Sequence, residues 1–119
     1  MVNLDTHVLV FALDGTVTAQ ERRILAANTW SVSAIVFSEL AKLAQLGRID
    51  IDLEDAEVVR VLSRIQVWPL DLAVAVQSTR LDFASDPADE LIAATSVVHN
   101  VPLLTRDRRI RASKIVPLA

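Results

Sequence analysis

Val2-Asn3-Leu4-Asp5-Thr6-His7-Val8-Leu9 opens the chain as a short apolar run, an acid, and a second apolar stretch. The run reads as a strand ending at Asp5, and the stretch from Thr6 to about Leu13 as a helix closed by Asp14-Gly15. The same alternation continues outward. Trp30 to Val32, Gln66 to Trp68 and Leu103 to Thr105 are further strand candidates. Helical stretches separate them: Ala19 to Asn28, Ala34 to Leu46 behind the cap Ser33 and before Gly47, residues 52 to 63, and Asp71 to about Arg80. Strands alternating with helices predict an α/β fold whose mainly parallel sheet is covered on both faces.

The clearest helix start is Asp86-Pro87-Ala88-Asp89. Asp86 reads as the N-cap, Pro87 as N1, and Asp89 at N3 as an Asp variant of the capping box. The helix it opens runs to Asn100 and is apolar nearly all round, which predicts burial. Arg108 to Ser113 reads as a last turn or short helix, and Ile115-Val116 as an edge strand.

With 119 residues and 52% hydrophobic content, the chain reads as one domain with ample material for a core. No apolar run approaches the ~18 residues of a membrane span. Val8 to Leu13 lacks the basic flank of a signal peptide. The absence of cysteine excludes disulfides and thiolate chemistry and fits a reducing cytoplasm. Gly15 and Gly47 are the only glycines, so neither a phosphate-binding glycine loop nor a G-x-S-x-G elbow can be written. Two histidines and no cysteine disfavour zinc.

Abundant carboxylates favour a hard cation such as Mg²⁺ or Mn²⁺. Four of them stand at element junctions or on a helix boundary: Asp5, Glu39, Asp89 and Asp107. Ligands of open parallel sheets bind beyond the carboxyl ends of strands. Asp5 and Asp107 converge there if their strands are parallel neighbours. Glu39 shares a helical row with Ile35 and Leu43, at the edge of an apolar face. Two carboxylates about 5 Å apart repel by roughly 3 kcal/mol at an effective dielectric of about 20. Four together require a counter-charge, which a divalent cation provides.

The bland readings are that Asp5, Asp89 and Asp107 are caps or turn residues and Glu39 a solvated helix residue. Asp86 competes with Asp89, although capping accounts for Asp86 better. Arg106, Arg108, Arg109 and Arg111, with Lys114, form a basic block beside Asp107. They are candidates for holding phosphates, or else a solvated helix face. Asp50 to Glu57 is an acidic block that reads as a solvated helix start. Trp30 and Trp68 read as core or dimer contacts.

Four segments, in order, resemble the motifs of PIN-domain proteins. They are Leu4-Asp5-Thr6-His7-Val8-Leu9, Ser38-Glu39-Leu40 with Leu46-Gly47-Arg48-Ile49, Asp86 to Thr95, and Leu104-Thr105-Arg106-Asp107-Arg108-Arg109-Ile110. The nearest resemblance is to VapC-like toxin ribonucleases of toxin–antitoxin pairs. It implies a single PIN-like domain over residues 1–119 with three α/β/α layers, and an endoribonuclease dependent on Mg²⁺ or Mn²⁺. It also implies metal ligation by Asp5, Glu39, Asp89 and Asp107, and a site hydroxyl at Thr105 or, second, Thr6. The partners it implies are an RNA substrate, a VapB-like antitoxin and a second copy in a homodimer. Many relatives carry Arg after the third acid, where this chain has Glu90. That puts substrate contacts at this position in question, not the acids.

Two other classes compete. Asp14-Gly15-Thr16 resembles part of a haloacid-dehalogenase-like phosphatase motif, but Ala12 stands where the nucleophilic aspartate is required. A catalytically inactive PIN-like protein-binding module is the non-enzymatic alternative.

Overall fold

Asn3 of the first strand pairs in parallel with Ser31 on one side and Leu103 on the other, so the N-terminal strand lies inside the sheet. The computed structural model describes residues 1–119. The elements in chain order are β1 (Val2–Leu4), α1 (Thr6–Asp14), α2 (Ala19–Ala27), β2 (Trp30–Ser33), α3 (Ala34–Gln45) and α4 (Ala56–Leu62). There follow β3 (Gln66–Trp68), α5 (Leu72–Ser78), α6 (Pro87–His99), β4 (Leu103–Leu104) and α7 (Arg108–Arg111). The sheet order is β3-β2-β1-β4 and every pairing is parallel. Parallel neighbours need crossovers, and the helices provide them, giving the three-layer α/β/α arrangement that the alternation predicts.

β1 is buried along its whole length, with Val2 1% and Leu4 0% exposed, because a parallel strand is covered on both faces. Leu9, Leu40, Ile92, Leu103 and Ile110 complete the centre of one core cluster. Each such side chain contributes about 1.5–3 kcal/mol by burial. α6 buries five consecutive residues, Ile92 to Ser96, as its all-round apolarity predicts. Its alanines let it pack against α3, α5 and β2.

Within this core lies a polar junction. Asn3 Nδ2 donates to Ser96 Oγ at 2.9 Å, and Ser31 Oγ donates to Asn3 Oδ1 at 3.2 Å. All three residues are fully buried. The network satisfies groups that would otherwise be costly to bury, and it ties α6 to β1 and β2.

Local signals set most boundaries. Gly15, at φ 80°, ends α1, and Gly47, at φ 68°, follows α3. Asn100 stops α6 in the left-handed region at φ 51°. Asn28 is the C-cap of α2, as its place in the sequence predicts. Three expectations need correction. The helix expected over 52–63 begins only at Ala56. Asp52 turns its carboxylate onto the Glu54 amide, and Asp55 is the N-cap. Ile115-Val116 is not a strand: the Ser113 hydroxyl accepts from both their amides, and the added bridge joins Leu103 to Leu118. Asp89 forms only half a capping box. Its amide donates to Asp86, but its carboxylate accepts from Ser85. Trp30 packs against the core, and Trp68 stacks on His99 with ring centroids 4.0 Å apart.

No helix is long and apolar enough to cross a membrane.

Candidate functional site

The register Leu4↔Leu104 sets the next residues of β1 and β4, Asp5 and Thr105, side by side at the carboxyl end of the sheet. The Thr105 hydroxyl donates to Asp5 Oδ2 at 2.6 Å. The other oxygen, Asp5 Oδ1, accepts from the Thr6 amide at 2.8 Å, so Asp5 also caps α1. One carboxylate thus caps α1 with one oxygen and meets Thr105 with the other. Thr105 Oγ1 in turn accepts from the Asp107 amide at 3.1 Å. Asp107 Oδ1 caps α7 by accepting from the Arg109 and Ile110 amides.

Glu39 reaches the same place from α3, where its carboxylate accepts from the Thr6 hydroxyl. Asp89 reaches it from the first turn of α6, and its Oδ2 accepts from Ser85 Oγ at 2.8 Å. Both Thr105 and Thr6 thus hold acids of the set. Ser85 does the same for Asp89, and sequence reasoning missed it because the residue lies in a loop. Its place just before the cap Asp86 was the signal available. Glu90 accepts from the Ser85 amide at 3.3 Å, so the residue that departs from the family pattern helps position that serine.

The electrostatics bind the four acids into one group. Burial pushes the Asp5 carboxyl up, against the hydrogen bonds from Thr105 and Thr6, and Asp107 adds to the rise. Burial also raises Glu39, with repulsion from Asp5 and Asp86 adding to it. Asp89 is pushed up to about 6, first by burial and then by Asp86, Asp5 and Asp107. In each, burial is the larger cause and the neighbouring carboxylates add to it. The donors are hard oxygens, which suit Mg²⁺ or Mn²⁺. No three acidic or histidine side chains converge on one point. Three of the carboxylates are turned onto hydroxyls, so joint ligation of one cation would require side-chain rotations.

A cleft of about 520 Å³ opens over Asp89 and Asp107 and is lined by Ser85, Asp86, Asp89, Asp107, Arg108 and Arg109. Arg108 and Arg109 therefore line the same cleft as Asp89 and Asp107. Arg109 also donates to the Ala84 carbonyl at 2.6 Å. Arg111 lies on the other side of the strand end and donates to the Thr105 carbonyl at 3.2 Å. Arg106 departs from the RNA-contact reading. Its guanidinium is committed to Glu21, with Nε–Oε2 2.8 Å and Nη2–Oε1 2.7 Å, and lies 3.9 Å from the centre of the Phe11 ring. At a strand end, successive side chains alternate. Thr105 and Asp107 turn to the acids, and Arg106 turns away.

A parallel sheet with Asp5 and Asp107 just past the carboxyl ends of two neighbouring strands defines an α/β protein whose acids lie where such sheets bind ligands. The sequence model of the PIN domain matches residues 2–115, and the chain belongs to the PIN-domain family. It is 33% identical over 99 residues to Ribonuclease VapC22 of Mycobacterium tuberculosis, covering 81% of this chain and 76% of that one. A toxin–antitoxin complex from Klebsiella pneumoniae contains a similar structure, with TM-score 0.77 and 19% identity over 100% of this chain and 97% of that chain. VapBC2 of Rickettsia felis, bound to a promoter DNA fragment, matches with TM-score 0.75 and 19% identity over 100% and 98% of the two chains. At these identities the two structures establish the shared fold.

Proposed function

We propose that the chain is a Mg²⁺- or Mn²⁺-dependent endoribonuclease, the toxin of a VapBC-type pair, acting as a single PIN-like domain over residues 1–119. The observation that carries this reading is Asp5. It is a carboxylate only 7% exposed at the end of an inner strand, raised by burial and coupled to Glu39, Asp89 and Asp107. The similarity to a named ribonuclease supports the same reading.

Asp5, Glu39, Asp89 and Asp107 would hold the cation. When bound, it lowers the pKa of a water and polarises the scissile phosphate. The chain's own residues do the rest. Thr105 keeps Asp5 oriented through a charge-assisted hydrogen bond. Thr6 does so for Glu39 and Ser85 for Asp89. Arg108 and Arg109 flank the cleft and would hold the RNA backbone beside the acids. No covalent nucleophile is needed.

The partners follow from the same reading: RNA as substrate, a VapB-like antitoxin as inhibitor, and a second copy in a homodimer in the cytoplasm. Exposed Val67, Leu70, Leu72 and Val76 on and beside β3 and α5 supply apolar surface of the kind dimers cover.

The test is cleavage of RNA by purified protein with Mg²⁺ or Mn²⁺, and its loss with chelator. Cleavage that persists after exhaustive metal removal contradicts the mechanism. Absence of cleavage under all conditions favours the inactive binding module.

A further inference from the structure

Arg106 stands between the two residues of its turn that serve the acid cluster, yet its side chain faces the opposite way. Thr105 donates to Asp5, and Asp107 is one of the four acids. The Arg106 guanidinium meets Glu21 fork to fork, and its Nη2 also donates to the Thr16 carbonyl at 3.4 Å. The Phe11 ring of α1 lies against the same group.

Glu21 is itself held. It is 8% exposed, its Oε1 accepts from the Thr18 amide at 2.8 Å, and its amide donates to Thr18 Oγ1 at 3.1 Å. This is the capping box of α2. A rigid helix start is thus joined through a planar bidentate pair to the turn that carries Thr105 and Asp107. Asp5, meanwhile, begins α1, which carries Phe11. The contacts close a ring: Asp5 to Thr105, along the chain to Arg106, across to Phe11, and back along α1 to Asp5.

We propose that Arg106 and Glu21 are positioning residues for the nuclease reaction. The pair fixes the Thr105-Arg106-Asp107 turn, so that the Thr105 hydroxyl stays on Asp5 and the Asp107 carboxylate stays beside the other acids. The inference rests on the metal-dependent nuclease reading above. It also assigns a role to a basic residue that its sequence neighbourhood groups with the phosphate contacts. A planar guanidinium suits this task because its fork sets direction as well as distance, which a lysine ammonium does not.

The experiment compares wild type with Glu21→Gln, Arg106→Gln, Arg106→Lys and the double variant Glu21→Gln/Arg106→Gln. Three quantities are read: kcat and KM for RNA, the salt dependence of KM, and Mn²⁺ affinity by calorimetry without RNA. A positioning pair predicts that kcat and Mn²⁺ affinity each fall about 10-fold or more, as when groups behind metal ligands are lost. KM for RNA and its salt slope stay at wild-type values. The double variant is no worse than the poorer single, since either change breaks the same pair. Arg106→Lys recovers part of the loss.

If Arg106→Gln does not fold, Glu21→Gln still decides, because its amide oxygen can accept from Thr18. A raised KM and a salt slope lowered by about one for Arg106→Gln, with Glu21→Gln neutral, would make Arg106 a phosphate contact and overturn the proposal. Lowered melting temperature with unchanged kcat and Mn²⁺ affinity would overturn it too, leaving a stabilising pair only. Wild type that neither binds Mn²⁺ nor cuts RNA removes the nuclease reading, and the proposal falls with it. Active wild type with unaffected variants removes the proposal alone.

Discussion

The hydroxyl of Thr105 donates to Asp5 Oδ2 at 2.6 Å across a sequence separation of 100 residues. The contact follows from the parallel register of β1 and β4, and it ties Asp5 to the turn that follows β4. Thr105 is 2% exposed and also accepts from the Asp107 amide, so one small side chain serves two acids.

Thr105→Val keeps the shape and removes both hydrogen bonds. We expect a loss of ~1–3 kcal/mol in unfolding free energy, because Asp5 Oδ2 and the Asp107 amide lose the partner they have in Thr105. Activity should fall with it, and Thr105→Ser should restore most of both. Equal stability and activity in Thr105→Val and wild type would contradict the role given to this hydroxyl.

Asp5→Asn, Glu39→Gln, Asp89→Asn and Asp107→Asn should each cost about 100-fold or more in kcat, the scale of losing one preorganised charged group. Folding should survive, since removing repulsion offsets lost contacts. Asp86→Asn should stay active because Asn caps a helix nearly as well as Asp. The reverse pattern, Asp86→Asn inactive and Asp89→Asn active, would exchange their assignments.

Stability in chelator should rise as pH is lowered from 7 to 5. Asp89 titrates at about 6 in the folded chain, and Asp5 and Glu39 are shifted in the same direction. An acid whose folded pKa is raised binds its proton more readily folded than unfolded. The stabilisation is therefore complete below the unfolded value near 4 and is lost as pH rises through about 6. For half-buried Asp89 the effect is of order 1 kcal/mol after solvent screening. Glu21, held at about 2 by Arg106, has the opposite sign, but its contribution is lost only below about pH 4.5. Urea denaturation at pH 5, 6 and 7 measures this, and Asp89→Asn should flatten the trend.

Arg108→Gln and Arg109→Gln should raise KM for RNA and each lower the salt slope by about one, with kcat little changed. Both side chains line the cleft beside Asp89 and Asp107. A salt slope that stays at the wild-type value in both would remove them from the RNA path.

An antitoxin tail should compete with the cation. Crowded carboxylates suit a guanidinium, which pairs bidentately and stays charged. Raising Mn²⁺ at constant ionic strength should weaken the toxin–antitoxin complex, and replacing the tail cation with Ala should do the same. Indifference to Mn²⁺ would point to steric blockage.

Much of this was legible in the chain itself. Short-range chemistry set the alternation of strands and helices, the cap at Asp86 with Pro87, the stops at Gly15 and Gly47, and the place of Asp5 and Asp107 just past strand ends. Such signals act within a turn or two and survive in the linear order. The late start of α4 at Ala56 and the bridge at Leu118 were not legible, because local carboxylate and hydroxyl bonds competed with the helix and strand patterns there.

The tertiary structure decided what each polar side chain faces. Arg106 and Arg109 look alike in a basic block. Strand-end alternation and the distant capping box at Glu21 turn the first away from the acids, while the second lines their cleft. The same holds for Ser85 on Asp89 and for the buried Asn3–Ser31–Ser96 junction. Residue types and spacing determined which groups were available. Register and crossover packing, which couple positions up to 100 residues apart, determined which of them meet.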